Sequence, residues 1–441
     1  MNRIAVGAKT ERQDSVMAEA SASVQARRGR LSIRRWRQNT RVITDSVMTS
    51  SHCDVAIIGG AVMGSATAYF LSENPDFAGR ILVIEKDRTY QHAASSRSTS
   101  GFRQQFSTPV NVALARYSAE FIKAADDALS VPGESAGVPV NEAGYLYLGR
   151  AHQVAAFERN NAIQRGLGVD VALLDTAELA ARFPWLNLDD VAIGSLGSSG
   201  EGWFDGYLLM HAFRRRARHN GVDYRYADVV DLEATGDGGF DIALADGDRV
   251  KCGAVVVTAG TAAAKVAAMI GIEVPVRPLK QSVFAFASPW KQDGMPYVFT
   301  PDGVFVRPDG SDYIAGIGIK DDAPFEDAPD FEPDHGLFED QLWPKLAGRV
   351  AGFENLRLKS AWAGHYDMSV FDHNPFIGAV DGAPKFFLAT GFSGHGIMQS
   401  PGVGRGLSEL IVHGRYTTLD LSDLAFSRIA AGRRLRETIQ Y

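Results

Sequence analysis

Two cysteines in 441 residues, Cys53 and Cys252, are too few for a disulfide framework. Neither belongs to a Cys-x-x-Cys pair that could hold a metal through thiolates. The scarcity suits a reducing compartment. Long apolar runs are missing too: no stretch of ~18 apolar residues appears, so no membrane span is expected. Internal repeats and metal-ligand constellations are likewise absent from the pattern, and no metal is expected. Positive charge is short outside the first fifty residues. The net charge is -7, yet residues 1–50 carry +6, which leaves -13 on the remainder. An acidic body argues against nucleic acid as a partner.

What remains is ordinary for a soluble globular protein, with 45% hydrophobic and 22% charged residues. The length exceeds one typical core, so two domains are expected. Seven arginines fall between Arg27 and Arg41, with no acid between Glu19 and Asp45. This segment lacks the apolar core of a secretory signal and is arginine- and serine-rich, as mitochondrial transit peptides are. The plainer readings are a disordered leader, or a start set too far upstream with Met48 the better first residue. A cytoplasmic location is expected, with a mitochondrial-type leader as the alternative.

Beyond the leader, Asp54–Ile58 is a short apolar, β-branched run, read as a buried parallel strand. Gly59-Gly60-Ala61-Val62-Met63-Gly64 follows, then a helical stretch through Ala66, Tyr69 and Phe70 that ends near Asn74-Pro75. Ile81–Ile84 reads as a second strand ending in Glu85, 21 residues after Gly64. Strand, glycine turn, helix, strand and acid, in that order, form the dinucleotide-binding fingerprint. Gly59 permits the tight turn, and Gly64 lets the helix approach the strand. Backbone N–H groups at the helix start face a pyrophosphate, and the Glu85 carboxylate can accept from ribose hydroxyls. Ala61 stands where the middle glycine is usual, adding a methyl group near the phosphates.

Which dinucleotide it is depends on later segments. Ala93–Phe106 is small, polar and almost without apolar periodicity, suited to running beneath a pyrophosphate towards an isoalloxazine ring. Thr108 then reads as an N-cap with Pro109 at the first helical position, opening a helix to about Ala128. Lys385–Thr390 reads as a strand, Gly391-Phe-Ser-Gly-His-Gly396 as a second cradle, and about Pro401 to His413 as a helix. Three glycines in six residues let backbone pass close to a ligand, and a helix N-terminus there would favour an anionic reduced flavin. Val255–Gly260, another buried strand ending in small residues, would return the chain to the cofactor.

With these segments and the runs Gly202-Trp-Phe-Asp205, Trp362–Asp367 and Phe371-Asp-His-Asn374, the sequence resembles the D-amino-acid oxidase and sarcosine oxidase superfamily of FAD-dependent oxidoreductases. Within it, the likeness is to the FAD-dependent oxidoreductase domain-containing proteins, over roughly Asp54 to Arg428. The resemblance implies FAD, with Gly59, Gly60, Ala61, Met63 and Gly64 at the pyrophosphate and Glu85 and Lys86 at the ribose. It implies Ser95, Ser96 and Arg97 in the loop beneath, and Val229 meeting the adenine through its backbone. Ala259 and Gly260 would end the returning strand, while Gly394, His395, Gly396, Ile397 and Met398 would surround the flavin ring. Sarcosine oxidases hold their flavin covalently through a cysteine where His365 stands here, so FAD is expected to be non-covalent. Their carboxylate-binding lysine is Met398 here, and their dioxygen-activating lysine has no match near Ile314.

The expected fold is α/β plus α+β: a Rossmann-like FAD-binding domain (51–140, 198–272 and 360–441) and a discontinuous antiparallel-sheet substrate domain (141–197 and 273–359). The segments Glu142–Leu148, read as a half-exposed strand, Val274–Phe284 and Gly303–Arg307 build the second sheet. A substrate would lie between that sheet and the flavin. Arg103 aligns with the carboxylate-binding arginine of sarcosine oxidases; the competing reading is a surface ion pair. Arg307 is a second candidate anchor or a structural arginine. Lys280 could assist dioxygen or bind anions, or be an ordinary solvated lysine. His365 and Tyr366 could face substrate or simply pack, and His395 is read as shaping the glycine loop.

The leading function is FAD-dependent oxidation of a secondary amine or amino acid bearing a carboxylate, with dioxygen or an electron carrier as acceptor. Two alternatives stand beside it. One is a flavin-bearing assembly or scaffold protein for a respiratory complex. The other is an NAD-dependent dehydrogenase, which leaves the C-terminal cradle unexplained.

Overall fold

The computed structural model describes residues 52–318 and 330–438, so the basic leader lies outside the described residues. The elements that carry the site are, in chain order, strand β1 (His52–Ile58), helix α1 (Val62–Ser72), strands β2 (Ile81–Glu85), β3 (Arg249–Val257), β4 (Val276–Ala287), β5 (Arg357–Ser369) and β6 (Ala383–Thr390), and helix α2 (Gly396–His413).

β1 lies between β2 and β3, parallel to both, with Ile58 opposite Ile84 and Val257. β6 pairs parallel with β3, and Asp223–Tyr226 pairs parallel with β2. Antiparallel strands Val229–Ala234, Phe240–Leu244 and Phe376–Val380 complete an eight-stranded sheet. The registers bring the carboxyl ends of β1, β2 and β3 to one level, where a doubly wound sheet opens its ligand crevice. Ala56 and Ile57 are both fully buried, which is why β1 reads as an unbroken apolar run and not an alternating one.

On one face α1 packs against α2, and the contact depends on small residues. A Cβ on Gly404 would lie 2.8 Å from the Ala66 carbonyl carbon. α2 begins at Gly396, five residues earlier than the sequence suggested, so Pro401 lies inside it. Proline has no N–H for the Ile397 carbonyl; the Ser400 hydroxyl donates to that oxygen instead, at 2.9 Å. The helix opened by Pro109 is shorter than expected, ending at Lys123 before a separate short helix at Ala125–Leu129.

The second sheet runs in the order β5, β4, Asp312–Ile317, Val304–Asp309, Tyr297–Phe299, Tyr145–Gly149, Ile193–Gly197, Val171–Leu174. It is antiparallel apart from the pairing of Tyr297–Phe299 with Tyr145–Gly149. β5 hydrogen-bonds along almost all of β4, so residues 360–369 stand in this sheet and not with the nucleotide-binding segments. Tyr145–Gly149 is buried throughout instead of half exposed: Tyr145 and Tyr147 pack with Tyr297 and Phe299, while Leu146 and Leu148 enter the core on the other face.

Candidate active site

A cleft of about 440 Å³ opens at the carboxyl ends of β1, β2 and β3 and extends under β4 and β5. Its floor is the glycine turn. Gly59 adopts φ +100°, a left-handed conformation that side chains disfavour. A Cβ on Gly64 would lie 1.9 Å from the Gly59 carbonyl oxygen, so only glycine lets α1 start this close to β1. Ala61, by contrast, has φ -69° as the residue capping α1, an ordinary conformation in which a methyl group is accommodated.

Gly59, Ala61, Met63, Glu85 and Lys86 all line the cleft. Gly60 lies beneath it, its N–H donating to Glu85 Oε2 at 2.7 Å, while Asp87 N–H donates to Oε1 at 2.8 Å. Burial pushes the Glu85 carboxyl up, and those two amides draw it back down. Ser95 also lines the wall, and its hydroxyl accepts from Val62 N–H in the first turn of α1 at 3.4 Å. That turn has no acidic side chain, so its dipole and the N–H groups beyond Val62 favour an anion. Ser96 does not line the cleft. Arg97 lines it but is also a brace, donating to Gln91 O at 2.7 Å and to Ala363 O of β5 at 2.8 Å.

Val229, Ala259 and Gly260 reach the cleft from the first sheet. Thr258 reaches it too, and its hydroxyl holds the Gly59 carbonyl at 2.7 Å. From the tail, Gly394, Gly396 and Ile397 line it too, whereas the buried Met398 and the partly buried His395 do not. Gly394 has φ +93°, and a Cβ there would be 3.0 Å from the Tyr366 ring. Two glycine turns far apart in sequence thus frame one cleft, with the Glu85 carboxylate among its lining and a helix N-terminus at each turn. These groups fit a dinucleotide carrying a planar ring.

His365 and Tyr366 line the cleft from β5. The Tyr366 phenol is pushed above its ordinary range by burial. Their neighbour Asp367 was not singled out from the sequence, although it lies in the Trp362–Asp367 run. It accepts from Gly391 N–H at 2.8 Å, tying the second glycine turn to β5. Burial raises its carboxyl to about 6, against the pull of the Gly391 and Phe392 amides. Phe331, also unforeseen, packs edge-on against His365 and beneath the Arg97 guanidinium.

The remaining candidates lie off the cleft. On β4 it is Gln281 and Val283 that line it; Lys280 has the opposite orientation expected of an alternating strand and pairs with Asp330. Arg307 is buried with its guanidinium on Thr99 O at 2.9 Å, Pro308 O at 2.7 Å and Asp309 at 2.9 Å, so it braces the loop. Arg103 is buried behind the second glycine turn. It donates to His395 Nε2 at 2.8 Å and to Gln105 O at 3.3 Å, and lies 4.2 Å from the Phe106 ring centre. Burial, and then the Arg103 charge, hold the His395 imidazole well below its ordinary range, so it is the neutral acceptor in this pair.

The chain has relatives of known name. It is 36% identical over 417 residues to FAD-dependent oxidoreductase domain-containing protein 1 of Xenopus laevis, covering 85% of this chain and 82% of that one. It is 25% identical to glycine oxidase of Geobacillus kaustophilus, over 85% of this chain and 97% of the relative. The crystal structure of L-proline dehydrogenase from P. horikoshii superposes with a TM-score of 0.77 at 26% identity, covering 87% of this chain and all (100%) of the other. Residues 54–410 match the FAD dependent oxidoreductase family. The chain therefore belongs to that family: it is an FAD-dependent amine or amino-acid oxidoreductase with a Rossmann-like nucleotide fold and a second, substrate-facing sheet.

Proposed function

We propose that the protein oxidises the C–N bond of a secondary amine or amino acid bearing a carboxylate to an imine that hydrolyses. N-substituted glycines such as sarcosine or iminodiacetate, or a related amino acid, fit this description, with electrons passing to dioxygen or another acceptor. Bound FAD supplies the redox chemistry, taking up the hydride equivalent from the C–H bond beside nitrogen. The chain's own residues bind, orient and exclude water.

One observation carries the reading. Among the described residues the buried Arg103 guanidinium has a carbonyl and a neutral imidazole as hydrogen-bond partners, and makes no ion pair. A buried cation with no carboxylate in contact with it is costly. A substrate carboxylate would relieve that cost through charge-assisted hydrogen bonds to the guanidinium fork. Tyr366 lines the cleft from β5 on the same face as Gln281 and Val283 of β4, suited to holding the amine end. The named substrates of two relatives support the class, since proline and glycine both carry a carboxylate and proline is a secondary amine. Non-covalent FAD is part of the proposal: Cys53 and Cys252 face one another in the β1–β3 register, at the end of the strands remote from the cleft.

The test is anaerobic mixing of the yellow protein with sarcosine, iminodiacetate, proline and D-amino acids, followed by the flavin's visible absorbance and by peroxide after air is admitted. Bleaching by at least one carboxylated amine is expected. A flavin that none of them reduces would favour the scaffold reading. Arg103→Ala should raise KM for the bleaching substrate by about thirtyfold or more while FAD content is unchanged. Equal kinetics in variant and parent would remove Arg103 from the site.

A further inference from the structure

Glu201 stands in the turn between strands Ile193–Gly197 and Gly202–Phe204, and its side chain is 0% exposed. It does not line the cleft. Its Oε1 accepts from Gln104 N–H at 2.7 Å and its Oε2 from Gln105 Nε2 at 2.7 Å. The Gln105 amide is a junction, donating also to Tyr145 O at 3.2 Å and accepting from Ser195 Oγ at 2.6 Å. Gln104 Nε2 closes the loop by donating to Gly200 O at 3.1 Å, in the turn that carries Glu201. The fit leaves little slack: a Cβ on Gly197 would come within 2.0 Å of the Glu201 carboxylate. Both residues that follow Arg103 in the chain are therefore tied to one buried acid anchored on the second sheet.

We propose that Glu201 is the positioning residue of the substrate-carboxylate anchor, fixing the Arg103–Gln105 backbone and hence the direction in which the guanidinium is presented. The proposal rests on the reading of Arg103 given above. An acid this deep is expensive to maintain for packing alone, because an apolar residue of similar volume would avoid the desolvation. Its cost is moderated by its surroundings. Burial raises the Glu201 carboxyl to about 7, with the Gln105 amide, the Gln104 N–H and the Arg103 charge drawing it down. Its charged and titratable neighbours are Arg103, on the loop that it holds, and the Tyr145 phenol on the adjoining strand. A carboxyl poised there organises the loop through hydrogen bonds without becoming a contact counter-ion that would compete with substrate for Arg103.

The experiment compares FAD-loaded parent, Arg103→Ala, Glu201→Ala and Glu201→Gln. Each is titrated with acetate, as a minimal carboxylate, and with acetamide, its neutral counterpart, and followed by the flavin's visible spectrum. Glu201→Ala should weaken acetate about tenfold or more while acetamide stays within about twofold, since charge-assisted bonds to the guanidinium are the ones misdirected. Glu201→Gln keeps the size and the acceptor for Gln104 N–H but sets its own amide N–H against that of Gln105, and should recover part of the acetate affinity. Loss of acetate binding in Arg103→Ala alone, with Glu201→Ala at parental affinity, overturns the proposal and leaves the anchor reading standing. Acetate that never perturbs the parent, or that binds parent and Arg103→Ala equally, overturns both. Parallel weakening of acetate and acetamide in Glu201→Ala also overturns the proposal, because it reports general damage. Should Glu201→Ala fail to yield loaded protein, Gln105→Met decides in its place: the same acetate-specific loss supports the proposal, and an unchanged ratio overturns it.

Discussion

At Gly64 a hydrogen atom is all that the Gly59 carbonyl leaves room for. A methyl group there would stand 1.9 Å from that oxygen and 2.8 Å from Thr258 Oγ1, and both neighbours are fixed by β1 and β3. Gly64→Ala is therefore expected to cost about 3 kcal/mol or more in unfolding free energy, and to weaken FAD, because the turn must open to admit it. Urea titration and fluorescence quenching of added FAD measure the two effects. Ala61→Gly is the control: the residue caps α1 with a φ of -69° that suits any residue, so glycine should change stability by less than about 0.5 kcal/mol and leave FAD affinity near parental. Gly64→Ala indistinguishable from this control would show that the close approach carries no weight. The same reasoning explains why the missing middle glycine did not remove the fingerprint: the positive φ is at Gly59, two residues earlier.

α2 shows how one element is held at both ends. Its N-terminus opens on the cleft beside Gly394, and near its other end Glu409 accepts from Thr417 N–H at 2.7 Å, Thr418 N–H at 2.9 Å and Arg405 Nε at 2.7 Å. Although burial opposes it, the Thr418 and Thr417 hydrogen bonds lower the Glu409 carboxyl from 4.5 to about 2. With the folded value depressed, its contribution to stability is complete above about 4.5 and is lost as pH falls towards 2. Glu409→Gln should thus destabilise the protein by about 2 kcal/mol near neutral pH, with the gap to the parent closing on acidification. Unfolding titrations of both proteins at neutral pH and near pH 3 test this. A gap that stays constant would mean the carboxylate's charge is irrelevant. Pro401 is the other lesson at this scale. Its ring suggested a helix start, because the sequence does not show that Ser400 serves the carbonyl a proline leaves without a donor.

At the scale of the molecule, both sheets contribute walls to one cleft, so a bound cofactor is a tie between them. Removing FAD should lower Tm, and re-addition should raise it steadily with concentration. At a hundredfold excess over Kd the stabilisation is about 2.7 kcal/mol. A Tm indifferent to added FAD, with colour retained in acid-precipitated protein, would contradict reversible, non-covalent binding. The sequence by itself determined the nucleotide half. The glycine turn, Glu85, the buried strands and the GFSGHG cradle are short-range patterns, and their meaning follows from backbone conformation and spacing over a few residues. It also singled out His365 and Tyr366, which line the cleft, and Arg103, which lies behind it. Tertiary structure alone decided the rest. That Gln281 and not Lys280 reaches the cleft is set by the register of β4 against β5, where one residue reverses the face. That Arg307 braces a loop, and that Asp367 and Glu201 are buried acids holding turns, depends on contacts between segments tens to hundreds of residues apart. Local sequence carries no record of which distant backbone N–H a carboxylate will meet, and that meeting is what separates a surface charge from a part of the site.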